Sequence, residues 1–180
     1  MGKSDAELLA AAKSEKDPHA FEQILLRYEK LIHHITRRYF QNAEDAEDAS
    51  QDAVIRIYKG LQTVTLSETG LLKSWICTVT ANTCLDSLRK RRVETTVLPD
   101  ESRQVLATTA SAEETAITQA RVQEVMDAIH ALPDDHRMVL ILRDLNGLSY
   151  DDLSEVLRIG PGTVKSRLSR ARTALKKMLS

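Results

Sequence analysis

The sequence predicts an all-α protein made of two small helical domains joined by a flexible linker. Three observations lead there. Gly and Pro are scarce, 6 and 4 among 180 residues, while Ala, Leu and the charged helix formers dominate. Apolar residues recur at spacings of three and four in both halves of the chain. Between the halves, from Val93 to about Ala112, that period stops in a run of Thr, Ser and acidic residues around Pro99. The divisions follow: a first domain over 1–92, a linker over 93–115 and a second domain over 116–180. Nothing in the linker sustains a period; at most one weak strand fits its apolar patches.

The first domain opens on Ser4 and Glu7, spaced as a capping box ahead of Leu8. Phe21, Leu25, Tyr28, Ile32, Ile35 and Tyr39 then form an apolar stripe over about five turns. Val54, Ile57, Tyr58 and Leu61 repeat it on a second long helix. "TVTLSETG" breaks the pattern, and a third helix runs from Leu71 through Trp75, Ile76, Val79 and Thr83 to "LRKRR". Cys77 and Cys84 fall seven residues apart on this helix, about two turns, too far for a disulfide. They read as two reduced thiols packed in a core.

The second domain is helical again. Ile117, Ala120, Val125, Ile129 and Leu132 give a loose apolar face ending at Pro133. Met138, Ile141, Leu142 and Leu145 form the next stripe, closed by Asn146-Gly147. Ser149 and Asp152 form a second capping box before Leu153, Val156 and Leu157. After "RIG", Pro161 suits the first turn of a last helix with Val164, Leu168, Ala171 and Leu175 facing inward.

Charge is segregated in a chain whose net formal charge is only −1. From Arg158 to Ser180 there are seven Lys or Arg and no acid; from Gln41 to Ala53 there are five acids and no cation. Two short helices joined by a Gly-containing turn are the helix-turn-helix pattern, whose second helix enters the DNA major groove. With the apolar face turned inward, the last helix presents cations and hydroxyls outward. Lys165, Ser166, Ser169 and Arg170 are placed for base edges, and Thr163, Arg167 and Arg172 for phosphates. The helix dipole accounts for Lys176 and Lys177 at the C-terminal end but not for cations near the start. The acidic segment, with Asp45, Glu47, Asp48, Gln51 and Asp52, repels DNA and suits a basic protein partner. The dipole explains Glu44 and Asp45 alone. On the third helix Asn82, Asp86, Arg89 and Lys90 form a polar stripe, with Asp86 and Lys90 at ion-pair spacing, ahead of a second basic surface.

No metal site and no cofactor is expected: the chain has no Glu-x-x-His, and one Asp-x-x-His, Asp127 to His130. His33 and His34 read as structural. No nucleophile–base set or phosphate loop is present, so an enzyme is not expected. No apolar run reaches membrane-spanning length and no signal peptide opens the chain, which points to a cytoplasmic protein.

The segments "DAEDASQDAVIRIYKG", "SWICTVTANTCLDSLRKRR" and "ALPDDHRMVLILRDLNGLSYDDLSEVLRIGPGTVKSRLSRARTALKK" together resemble a group IV, extracytoplasmic-function (ECF) bacterial sigma factor. The resemblance implies a σ2 helical bundle followed by a σ4 helix-turn-helix. Asp45, Glu47, Asp48, Gln51 and Asp52 match the segment that docks on the β′ clamp helices of core RNA polymerase. Asn82, Asp86, Arg89 and Lys90 match the −10-reading helix, and the loop Leu61–Lys73 the pocket for a flipped base. The σ4 positions Thr163, Lys165, Ser166, Arg167, Ser169, Arg170 and Arg172 match the −35 reader. The resemblance further implies contact with the β flap, promoter DNA, an anti-sigma factor, a role in stress response, and nucleoid association when active. Two departures stand out. Gly160 occupies a cap position where many members have Ser. The Leu61–Lys73 loop has no aromatic residue, so weak intrinsic melting and stringent promoter choice are expected. The chain lacks the C-terminal extensions of some members, so control by a separate protein is expected. The alternative is a helix-turn-helix repressor or activator acting without polymerase, against which stands the lack of a long heptad dimerisation helix.

Overall fold

A computed structural model describes residues 3–14, 17–64, 72–95 and 113–180, with the side chains of 92–95 and 113–118 excepted. The predicted linker core and most of the Leu61–Lys73 loop lie outside these residues, as does the Ile117 side chain. The first half holds α1 (Asp5–Ser14), α2 (Pro18–Tyr39), α3 (Ala43–Leu61) and α4 (Leu72–Thr95). The second holds α5 (Glu113–His130), α6 (Asp134–Leu140), a π-helical turn (Ile141–Leu145), α7 (Tyr150–Leu157) and α8 (Pro161–Met178). The described residues contain no strand.

The helix starts are those the local sequence dictates. Ser4 and Glu7 close a capping box, with the Ser4 amide donating to Glu7 Oε2 at 2.6 Å. Asp17 caps α2 through the His19 amide, and Asn42 caps α3 through the Glu44 amide, both at 2.9 Å. Ser149 and Asp152 form the second capping box, reciprocally bonded at 2.9 and 3.0 Å. Gly147 ends the π-turn at φ 72°, a left-handed conformation that glycine takes without strain.

Phasing differs from expectation on two helices. On α2 the buried line is Ala20, Ile24, Tyr28, Ile32, Ile35 and Tyr39. Phe21 and Leu25 lie at its edge, only partly buried. On α3 the line is Ala46, Ala49, Ala53, Ile57 and Leu61, and Tyr58 is 56% exposed. The α3 line passes through Ile57, and Tyr58, turned about 100° round the helix from it, falls outside. On α5, Ala120 and Val125 are exposed rather than inward; among the described side chains of that helix, Met126, Ala128 and Ile129 turn toward the interior, with Leu132 just beyond the helix end. Cys77 and Cys84 are buried free thiols, and burial pushes both up to about 12.

Two apolar clusters organise the interior. One lies within the first half, around Leu8, Ile24, Ile32, Ile57, Leu61, Leu72 and Ile76. The other is shared by both halves: Ile35, Tyr39, Phe40, Ala49, Cys77, Ala81 and Cys84 pack with Ile129, Leu132, Met138, Leu142, Leu153, Val164 and Leu168. Polar contacts close the same joint. The π-turn widens the helix end so that Asn146 donates to the Ile141 carbonyl at 2.8 Å and meets His34 Nδ1 through its Oδ1 at 2.9 Å. Arg38 Nε donates to the other His34 nitrogen at 3.0 Å.

Arg137 is the densest of these contacts. Its guanidinium, with a side chain 12% exposed, donates to the carbonyls of Ile129 at 3.3 Å, Tyr39 at 3.1 Å, His130 at 2.5 Å and Leu132 at 2.9 Å. It also lies 5.3 Å from the Tyr39 ring centroid. The planar fork thus gathers the end of α2 and the α5–α6 turn, which an ammonium cannot do with the same geometry. We expect Arg137→Lys to lower unfolding free energy by about 1–3 kcal/mol, the cost of leaving buried carbonyls unmatched; chemical denaturation measures this, and an unchanged midpoint would contradict it.

His130 lies beside this joint with both ring nitrogens buried and unpartnered. Burial first, and then the Arg137 charge, push its pKa below 6.5; Asp127 and the Arg38 and Phe40 backbones act weakly the other way. The unfolded ring therefore binds more protons as pH falls through its ordinary pKa near 6.5. His130 favours folding above that pH, and the contribution is lost on acidification. Denaturation midpoints should fall from pH 7.5 to pH 5.5, and His130→Gln should reduce the drop; an equal drop in the variant would contradict this role.

Candidate polymerase and nucleic-acid interfaces

The N-terminal turns of α3 carry the acidic face. The buried alanines Ala46, Ala49 and Ala53 hold this helix close to its neighbours, which turns Glu47, Asp48, Gln51 and Asp52 to solvent. Gln51 Nε2 donates to Glu47 at 3.4 Å, and His33 Nδ1 lies 3.9 Å from the Glu47 carboxylate. Asp45 is different: its side chain is 14% exposed and ion-paired with Arg91 of α4. The first acid of the predicted set therefore ties two helices together, and the outward field comes from the others. The same outward side continues into exposed Ile55 and Tyr58, 50% and 56% accessible. Phe21 stacks edge-on against Tyr58 with centroids 4.9 Å apart. The apolar extension departs from the α3 stripe expected from the sequence, which turns Tyr58 inward.

On α4, Asp86, Arg89 and Lys90 are exposed and Asn82 is partly buried. Asp86 is held by Arg56 of α3 at 2.8 Å, with Arg89 4.0 Å away. That pairing crosses between helices, which the spacing of a single helix cannot reveal.

On α8, the buried Val164, Leu168 and Ala171 set the phase. Thr163, Lys165, Ser166, Ser169 and Arg170 are exposed, as expected for the outward face. Two arginines carry counter-ions the sequence did not suggest. Arg167, 26% exposed, pairs with Asp135 at 2.9 Å. Arg172 grips Asp144 through two bonds of 2.9 and 2.5 Å, which raises its already high pKa. Gly160 begins the helix without a side-chain cap.

The two polar helices face one cleft. Leu85, Leu88 and Arg89 of α4 line it on one side; Thr163, Ser166, Arg167 and Arg170 of α8 line it on the other, with Pro133 to His136 between. The shared core described above holds them there. Among the described residues, no group of three or more His, Cys, Asp or Glu is arranged to hold a metal. No described helix is long and apolar enough to cross a membrane.

Comparison with known proteins decides the family. Residues 24–94 match the model of Sigma-70 region 2, and residues 122–175 that of Sigma-70 region 4. The chain is 34% identical over 177 residues to the ECF RNA polymerase sigma factor SigM of Mycobacterium tuberculosis, covering 98% of this chain and 85% of that protein. The chain belongs to the ECF sigma factors. It is also 29% identical to SigW of Bacillus subtilis, over 91% of this chain and 90% of that protein. With the sigma-E factor of Escherichia coli it shares 28% identity over 94% of this chain and 91% of that protein. Among solved structures it resembles the Bartonella quintana sigma factor RpoE in complex with the anti-sigma factor NepR. The TM-score is 0.72 at 26% identity, over 88% of this chain and 96% of that one. As an ECF sigma factor the protein is a bacterial transcription initiation factor. The two matched regions are its two all-helical units, region 2 in α2–α4 and region 4 in α5–α8.

Proposed function

We propose that the protein docks on core RNA polymerase through Glu47, Asp48, Gln51 and Asp52 of α3, with the β′ clamp helices as receptor. Asp45 supports this face through Arg91 rather than by direct contact. Lys165, Ser166, Ser169 and Arg170 of α8 read the −35 element, with Thr163, Arg167 and Arg172 at phosphates. Asn82, Asp86, Arg89 and Lys90 of α4 serve the −10 element, beside a base pocket formed by the Leu61–Lys73 loop. Region 4 meets the β flap, and the protein does no catalysis of its own. It works in the cytoplasm and joins the nucleoid when active.

One observation supports a regulated form of this reading: the proposed −10 and −35 surfaces share a cleft. At 3.4 Å per base pair, elements about 25 base pairs apart lie roughly 85 Å apart along the duplex. A promoter cannot reach both faces of one cleft at once. The described arrangement is a closed state that must open on polymerase. Arg167 is paired with Asp135 and Arg172 with Asp144, so cation charge is already matched before DNA arrives. Such matching suppresses non-specific affinity, which grows with the number of phosphates neutralised. An anti-sigma factor that binds the closed form would hold the protein inactive by its differential affinity for that state. The similar RpoE was solved in complex with an anti-sigma factor, NepR.

The test is transcription with purified parts. Core polymerase plus the full chain and genomic fragments should give discrete run-off transcripts. Asp48→Arg should abolish them and weaken core binding at least tenfold, with the melting temperature kept. A footprint by the protein alone on a palindrome, with no transcripts, would sink the reading; normal core binding by Asp48→Arg would remove α3 from it.

A further inference from the structure

Arg158 adopts φ 52° and ψ 45°, and among the described residues it is the sole non-glycine with positive φ. It ends α7 in a left-handed cap. The Arg158 amide donates to Glu155 O at 3.3 Å and the Ile159 amide to Ser154 O at 3.2 Å. Ile159 is partly buried against the shared core, so the turn is fixed by packing whatever side chain stands at 158. Glycine takes this conformation without penalty and asparagine at little; an arginine Cβ is disfavoured there. The side chain does nothing visible in return. It is exposed, and no hydrogen bond, ion pair or ring contact of it is found among the described residues. This contrasts with Arg137, Arg143, Arg167 and Arg172, each of which is engaged by a partner in the second half.

Position supplies the missing return. Arg158 lies in the helix-turn-helix connection, two residues before Gly160, the N-cap of α8. The end of α8 that follows the turn is the end that leads a recognition helix into the groove. Groove walls are phosphates, one every 3.4 Å along each strand. On the −35 reading of α8, a long cation on the turn would stand at such a wall while Lys165 and Arg170 address the groove itself.

We propose that Arg158 is a DNA-backbone contact flanking the −35 element, and that the left-handed arginine is kept for this contact. A favourable cation at the C-terminus of α7 would also account for its charge, but that effect acts on folding and not on promoter affinity. The inference rests on the −35 reading of α8.

The experiment uses the full chain bound to core polymerase and measures promoter affinity against salt concentration for Arg158→Gly, Arg158→Lys and Arg170→Ala. Arg158→Gly should melt at the same temperature as the parent or higher. It should bind the promoter about tenfold more weakly, with the slope of log affinity against log salt shallower by about one. Arg158→Lys should recover most of the affinity and slope. Affinity and slope unchanged in Arg158→Gly, with Arg170→Ala impaired, would overturn the Arg158 contact alone. Unchanged binding in both variants would overturn the −35 reading itself. A loss in Arg158→Gly accompanied by a lower melting temperature and no recovery with Lys would make the residue structural.

Discussion

Arg137 and the apolar core around it join the two halves, and the placement of the α4 and α8 surfaces relative to one another depends on that joint. Four carbonyls from the end of α2 and the α5–α6 turn converge on one guanidinium. Ile129 O also accepts the Leu132 amide at 3.2 Å, but a buried carbonyl that loses a donor is costly. The Tyr39 ring lies under the same group. Around it, Ile35, Cys77, Ala81 and Cys84 meet Ile129, Met138, Leu142 and Leu153. Most of this interior is apolar, and its polar closures, His34 with Asn146 and Arg38 with Met126, are single contacts at its edge. Within each half the helices also pack on one another, α2 with α3 and α4, and α8 with α6 and α7.

Much of the fold was legible because helices leave a local signal. The capping boxes at Ser4 and Ser149, the Gly147 stop and Pro161 at the head of α8 are set by neighbours three or four residues away. The recognition-helix phase was legible for the same reason: Val164, Leu168 and Ala171 leave one outward face. Phasing failed where alanine forms the core. On α3 the buried line runs through Ala46, Ala49 and Ala53, whose small side chains give a weaker apolar signal than Tyr58 despite their spacing of three and four. On α2, Phe21 and Leu25 carry the stronger apolar signal, yet Ala20 and Ile24 form the buried line.

What the sequence could not show is long-range. The pairs Asp45–Arg91, Arg56–Asp86, Arg167–Asp135 and Arg172–Asp144 join residues 28 to 46 positions apart. Side-chain spacing on one helix carries no information about them. They change the meaning of the charge segregation. The basic end is not simply open to DNA, because two of its arginines are already matched by acids of the same half. The acidic face of α3 keeps most of its charge outward. On the proposed reading, the acidic face is open to polymerase while part of the cation charge meant for DNA is already matched, with Lys165 and Arg170 still exposed.

The most direct test is the distance between the halves in the two states. Fluorophores on cysteines introduced at Lys59 of α3 and Lys176 of α8, both exposed, report it by energy transfer, since the native thiols are buried. The expected result is efficient transfer in the free protein and a collapse of transfer when core polymerase and promoter are added. Transfer that stays high in a complex making specific transcripts would contradict the closed-to-open account.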